Sequence, residues 1–163
     1  MQDTKRKSTL QEKRVAKEVG GRTTPASGAM WGCKGDVRSD AFLVECKTTE
    51  KDKYSLSIAT WNKIRREAIK DGMKIPIMCI DLCSGKYRFA VFEYAPTSIK
   101  GVYNVPVEVS TSKRSHTIKV GAEDIVHFKS QMTTKNGFKD VVLAIIPWAT
   151  FLEYYNKLWG EEK

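Results

Sequence analysis

Long apolar runs are missing from this 163-residue sequence. The longest, Val141 to Trp148, is far too short to cross a bilayer and has charged flanks, so a membrane-spanning role is not expected. The first residues, Met1 to Arg14, are polar and basic with no apolar centre, which excludes a secretory signal there. No amphipathic aromatic face or lipidation signal supports a membrane-surface role, and the cytoplasm is the expected compartment. Histidine is scarce, with two residues, and the four cysteines (Cys33, Cys46, Cys79 and Cys83) form no C-x-x-C pair, so no zinc pattern is visible. Free thiols packed as small hydrophobes are the expected state of these cysteines. Internal repeats are lacking, as is a long inter-domain linker, so residues 1–163 read as a single domain.

Positive charge is abundant. Lys and Arg total 28 against 19 Asp and Glu, a formal net charge of +9. An excess of this size favours a polyanionic partner, because neutralised phosphates release condensed counterions. Hydrophobic residues make up 41% of the chain, enough for one core.

Periodicity and turn residues predict the elements. Thr9 to Val19 reads as a helix, capped by Ser8 or Thr9 and stopped by Gly20-Gly21. Arg22 to Gly35, with Pro25, Ser27 and three glycines, reads as a loop able to lie close to another backbone or a phosphate. Asp36 to Lys47 is expected as two short strands or a tight hairpin, with Phe42-Leu43-Val44 most buried. A helix over Thr60 to Lys70 places Trp61, Ile64, Ala68 and Ile69 near one face and stops at Gly72. Strands follow at Ile75 to Leu82 and Tyr87 to Tyr94, joined by a turn at Cys83-Ser84-Gly85. Between residues 96 and 139 the pattern loosens, with Val105 to Val109 and Thr117 to Val120 as candidate paired strands. Val141 to Ile146 is a further strand, and Trp148 to Trp159 a terminal helix entered after Pro147. Strand, helix, strand in that order implies an α/β fold with a central mixed sheet flanked by helices.

The chemistry-bearing pattern is Gly35-Asp36-Val37 followed by Val44-Glu45-Cys46-Lys47. On a strand, Glu45 and Lys47 share one face because side chains alternate with period two. Asp36 adds a second carboxylate from the neighbouring strand or turn. Two carboxylates and a backbone carbonyl suit a hard divalent cation such as Mg²⁺, with waters completing the shell. Alternating acidic, basic and apolar residues also occur on any half-exposed strand, so this pattern needs its context.

That context resembles the PD-(D/E)XK nuclease superfamily, and within it the archaeal-type and phage-encoded Holliday junction resolvases. Glu12 on the first helix, the Ser27-Gly28 loop, Gly35-Asp36-Val37 and Glu45-Cys46-Lys47-Thr48-Thr49 carry the resemblance in the family's order, over residues 8 to 82. Gly35 stands where the superfamily's name has proline. The resemblance implies a restriction-endonuclease-like fold and Mg²⁺-dependent cleavage of DNA, with Mn²⁺ able to substitute. Asp36, Glu45 and the Cys46 carbonyl would bind the metal, Glu12 would complete its shell through water, and Lys47 would act on the attacking water. Ser27 and Gly28 would contact the DNA backbone near the scissile phosphate. Products would carry a 5′-phosphate and a 3′-hydroxyl. A four-way junction is the implied substrate, and paired incisions imply a homodimer, with Val141 to Trp159 a guess for its interface. A phage-encoded member would work in the host cytoplasm.

Around the motif a basic rim is expected to counter the carboxylates' repulsion of a phosphate backbone: Lys5, Arg6, Lys7, Lys13, Arg14, Arg22, Lys34, Lys51 and Lys53. Glu18, on the first helix, reads as a solvated carboxylate facing away from Glu12, Glu67 as an exposed partner of Lys63 or Lys70, and Asp40 as a turn residue. Tyr54 and Trp61 are aromatics that could stack on a base or sugar, with Trp61 better placed in the core. Two rival functions remain open. One keeps the fold but cuts as a restriction-like, nicking or repair nuclease; the other binds nucleic acid without chemistry.

Overall fold

The computed structural model describes residues 2–24, 35–94, 114–121, 123–134 and 137–159. The predicted strand at Val105 to Val109, the Ser27-Gly28 loop, Cys33 and Lys34 lie outside them. A central sheet of seven strands is built from β1 (Arg22–Thr23), β2 (Val37–Arg38), β3 (Phe42–Thr48), β5 (Ile75–Leu82), β6 (Tyr87–Glu93), β8 (Asp124–Thr134) and β9 (Gly137–Pro147), in the spatial order β1-β2-β3-β5-β6-β9-β8. β3 and β5 run parallel and the other neighbours antiparallel. A two-stranded ribbon pairs β4 (Lys53–Ser57) with β7 (Ser115–Lys119). The helices are α1 (Gln2–Glu18), α2 (Ile58–Lys70) and α3 (Trp148–Trp159). This is the mixed α/β architecture that the element order implies.

Two apolar layers cover the sheet. On one face Val15, Ala16 and Val19 of α1 and Trp148 and Phe151 of α3 close over Val44, Cys46, Ile77, Cys79 and Ala90. On the other, Trp61 and Ile64 of α2 and Leu56 of β4 close over Met78, Ile80, Val91, Leu143 and Ile145. Burial on both faces explains why β5 and β9 read as continuous apolar runs rather than alternating ones. Trp61 is fully buried, as its helical position predicts.

Several expectations need correction. α1 begins at Gln2 rather than near Thr9, its polar first turns supported by an i,i+4 pair of Asp3 and Lys7 at 3.0 Å. α2 begins at Ile58 because Ser57 caps it, accepting the Thr60 N–H at 3.1 Å. β7, within the expected Thr117 to Val120 region, pairs with β4, a partnership that local alternation cannot reveal; its expected partner at Val105 to Val109 lies outside the described residues. β8 has no counterpart among the strands that periodicity predicts. The apolar residues of 141–159 that suggest a dimer interface are core: Val141, Leu143, Ile145, Trp148 and Phe151 are buried within the chain. Among the described residues no helix is long and apolar enough to cross a membrane.

Candidate active site

β3 separates its two faces by alternation. Val44 and Cys46 point into the layer beneath α1, which turns Glu45 and Lys47 to the opposite face. β2 sets the position of Asp36. Val37 lies opposite Val44, and the preceding Asp36 N–H bonds the Val44 carbonyl at 3.0 Å, which brings Asp36 to the edge of β3 just before Glu45. Beyond the end of β2 the edge of β3 is open, and the Asp36 carboxylate fills it, accepting the Cys46 N–H at 2.8 Å. In a strand the N–H and C=O of one residue point the same way, so the Cys46 carbonyl turns toward this edge too. Gly35 makes the approach feasible: its φ is +70°, and a Cβ there would meet Leu43 Cδ1 at 2.6 Å.

Lys47 Nζ and Glu45 Oε1 pair at 2.8 Å. Burial opposes charge on Lys47, but the Glu45 contact outweighs it and raises its pKa, so Lys47 is an ammonium that donates rather than accepts. Asp36 is raised to about 6, first by burial and then by repulsion from Glu45, with a smaller push from Glu12; the Cys46 N–H opposes the rise. Glu12, on α1, accepts a hydrogen bond from Ser8 Oγ at 3.1 Å. Asp36, Glu45, Lys47 and the Cys46 backbone thus share one strand edge, and Glu12 bears on it only through its charge.

Among the described residues no group of three or more His, Cys, Asp or Glu side chains is placed to hold a metal ion. Glu45 is turned onto Lys47 and Asp36 onto the Cys46 N–H. The donor set still fits a hard cation: all ligating atoms are oxygen, and the Asp36 carboxyl, raised by burial and by the neighbouring Glu45 charge, is a place where a cation would relieve repulsion. Rotation of Glu45 away from Lys47 is the adjustment that binding requires.

The basic residues divide. Lys5, Arg6, Lys13, Arg22, Lys51 and Lys53 are exposed. Lys7 bonds Glu50 at 2.6 Å, an exposed pair that an arriving phosphate can displace at little cost. It lines a cleft of about 280 Å³ with Thr4, Thr48, Thr49, Lys51 and Ser84, at the end of β3. A larger cleft, about 320 Å³, lies at the opposite end of β2 and contains Arg22 alone of the candidate residues. Arg14 is engaged elsewhere. It pairs with the buried Asp81, which Arg88 also contacts at 3.4 Å.

Glu18 is not solvated. It takes both Arg88 Nη groups, at 2.8 and 2.9 Å, and the Trp148 Nε1–H at 2.8 Å. Burial pushes its carboxyl up, yet these bonds hold it below the ordinary value. It ties α1, β6 and α3 together and takes no part in the site. Glu67 is half-buried and lies 4.0 Å from Lys63, the expected partner, and Asp40 sits in the β2–β3 turn. Sequence reasoning missed Gln11, whose buried amide donates to the Lys47 carbonyl at 3.0 Å and the Cys79 carbonyl at 3.3 Å, stitching α1 to the site strands. A glutamine on the apolar face of α1, beside Val15, was the available signal.

No protein-family model matches the chain, and no curated protein matches it in sequence.

Proposed function

We propose that this chain is a metal-dependent, structure-selective endodeoxyribonuclease, and that its substrate is a four-way DNA junction cut by a homodimer in the cytoplasm. The observation that carries the reading is the meeting of Asp36 and Glu45 at the open edge of β3, with Lys47 2.8 Å from Glu45. Asp36, Glu45 and the Cys46 carbonyl would hold Mg²⁺ or Mn²⁺, and Glu12 would support the shell through water. When bound, the cation supplies charge neutralisation at the scissile phosphate and a more acidic water.

The chain's own residues do the rest. Asp36, fixed by the Cys46 N–H, presents its carboxylate at the strand edge where the cation belongs. Lys47, released from Glu45 as that carboxylate turns to its ligand role, directs its ammonium at the phosphate oxygens and orients the attacking water. The exposed lysines and arginines of α1 and of the β3–β4 turn carry the flanking backbone. Phosphate attack by water breaks the bond to the 3′-oxygen, leaving a 5′-phosphate and a 3′-hydroxyl.

A synthetic four-way junction incubated with Mg²⁺ tests the reading. Paired incisions are expected from the wild type and none from Asp36→Asn or Glu45→Gln. Cutting of linear duplex in preference to the junction would favour a restriction-like or repair nuclease. Binding without any cleavage of junction, flap or duplex, in Mg²⁺ or Mn²⁺, would leave a nucleic-acid-binding protein.

A further inference from the structure

β4 passes over the same face of the sheet that presents Glu45 and Lys47. Along it Lys53 and Ser55 are exposed, Tyr54 is half-buried and Leu56 fully buried, so Tyr54 and Leu56 share the inner side. The Tyr54 ring packs on the cluster that contains Met78 and Ile80. Those two residues lie in register beside Glu45 and Lys47 on the parallel strand. The phenol is close enough to both to feel the positive charge of Lys47 and the negative charge of Glu45, and Lys47 responds to Tyr54 in turn. Burial raises the phenol, so it keeps its proton and acts as a donor. Tyr54 is half-buried, and its hydroxyl is not among the buried unpartnered polar atoms of the described residues, so it is open to solvent and available to an incoming group.

A ring held in the core is badly placed to stack on a base; its oxygen is the available group. We propose that Tyr54 is a further catalytic residue of this site, donating a hydrogen bond through its hydroxyl to a non-bridging oxygen of a bound phosphodiester beside Lys47. The assignment rests on the nuclease reading of Asp36, Glu45 and Lys47. A donor whose ring is held by packing has little to reorganise during reaction. It also divides the work: Lys47 supplies charge, and Tyr54 supplies direction.

Tyr54→Phe keeps the ring and removes only the oxygen. On a junction substrate kcat is expected to fall about 10- to 100-fold with KM and Tm nearly unchanged, the pattern of an interaction made in the transition state. A merely structural tyrosine would not interact with substrate stereochemistry. Sulfur placed at the contacted non-bridging oxygen should slow the wild type more than it slows Tyr54→Phe. A second probe is independent of cleavage: 3-fluorotyrosine at position 54, observed by fluorine NMR during titration with thymidine 3′,5′-bisphosphate in Ca²⁺. The resonance is expected to shift. A fluorine signal that stays in place, or a Tyr54→Phe variant that cleaves like the wild type, overturns the assignment. If the signal shifts but no DNA is ever cut, the phosphate contact stands and the nuclease reading falls.

Discussion

The Asp36 carboxylate accepts the Cys46 backbone N–H at 2.8 Å, so a candidate metal ligand also finishes the edge of the strand that carries the other two site residues. Its folded pKa is raised to about 6, by burial first and Glu45 second. A raised carboxyl pKa means that the folded state holds a proton the unfolded chain has lost. Stability therefore falls as pH rises through the interval from the ordinary value of 3.8 to about 6. Asp36→Asn should abolish cleavage while stabilising the metal-free protein at pH 7 by about 1 kcal/mol, after discounting for partial exposure. That corresponds to a Tm rise of about 2–4 °C, vanishing near pH 4. Thermal melts with and without Mg²⁺ check it: the wild type should gain Tm with Mg²⁺ and Asp36→Asn should not.

Lys47 holds Glu45 at 2.8 Å, so it competes with any cation for that carboxylate. Lys47→Met should lower kcat by about 10²-fold, the scale of losing one preorganised charge. The same substitution should tighten Mn²⁺ binding, because Glu45 is released. Manganese titration followed by electron paramagnetic resonance reads the second effect independently of the first.

Glu18 is a structural clamp. Glu18→Gln breaks charge-assisted bonds to Arg88 and the Trp148 indole and should cost about 2–3 kcal/mol. A carboxyl held below its ordinary value contributes stability above that value and loses it as pH falls further. The gap between wild type and Glu18→Gln in urea denaturation should therefore be full at pH 7 and shrink below about pH 4.5.

Gly35 tests the backbone that presents Asp36. At φ +70° with Leu43 Cδ1 2.6 Å from a built Cβ, Gly35→Ala meets both backbone strain and a clash. A loss of about 2 kcal/mol is expected, with cleavage falling further than stability because Asp36 is the next residue. Circular dichroism melts beside cleavage rates separate the two effects.

The sequence carried the local geometry well. Glu45 and Lys47 share a face because strand alternation is a property of neighbours, and the Asp36–Val37 turn into Phe42–Thr48 is short enough to be read as a hairpin. What escaped depends on distant partners. The β4–β7 ribbon joins Tyr54 to Ile118, and Tyr54 gains its place beside Lys47 only through that pairing and the core beneath it. Glu18 reads as solvated because its helix is polar around it, while its partners, Arg88 and Trp148, come from β6 and α3. Arg14 reads as a free cation for the same reason, since Asp81 lies on β5. Gln11 escapes notice because a buried glutamine discloses its role only when the carbonyls it bonds are in place.

The most direct measurement is mapped cleavage of a synthetic four-way junction by purified wild type and Glu45→Gln, with Mg²⁺ and with a chelator. The expected result is symmetric incision with 5′-phosphate ends by the wild type in Mg²⁺, and none in the chelator or from Glu45→Gln. Cleavage that survives Glu45→Gln, or that proceeds in the chelator, would contradict the account.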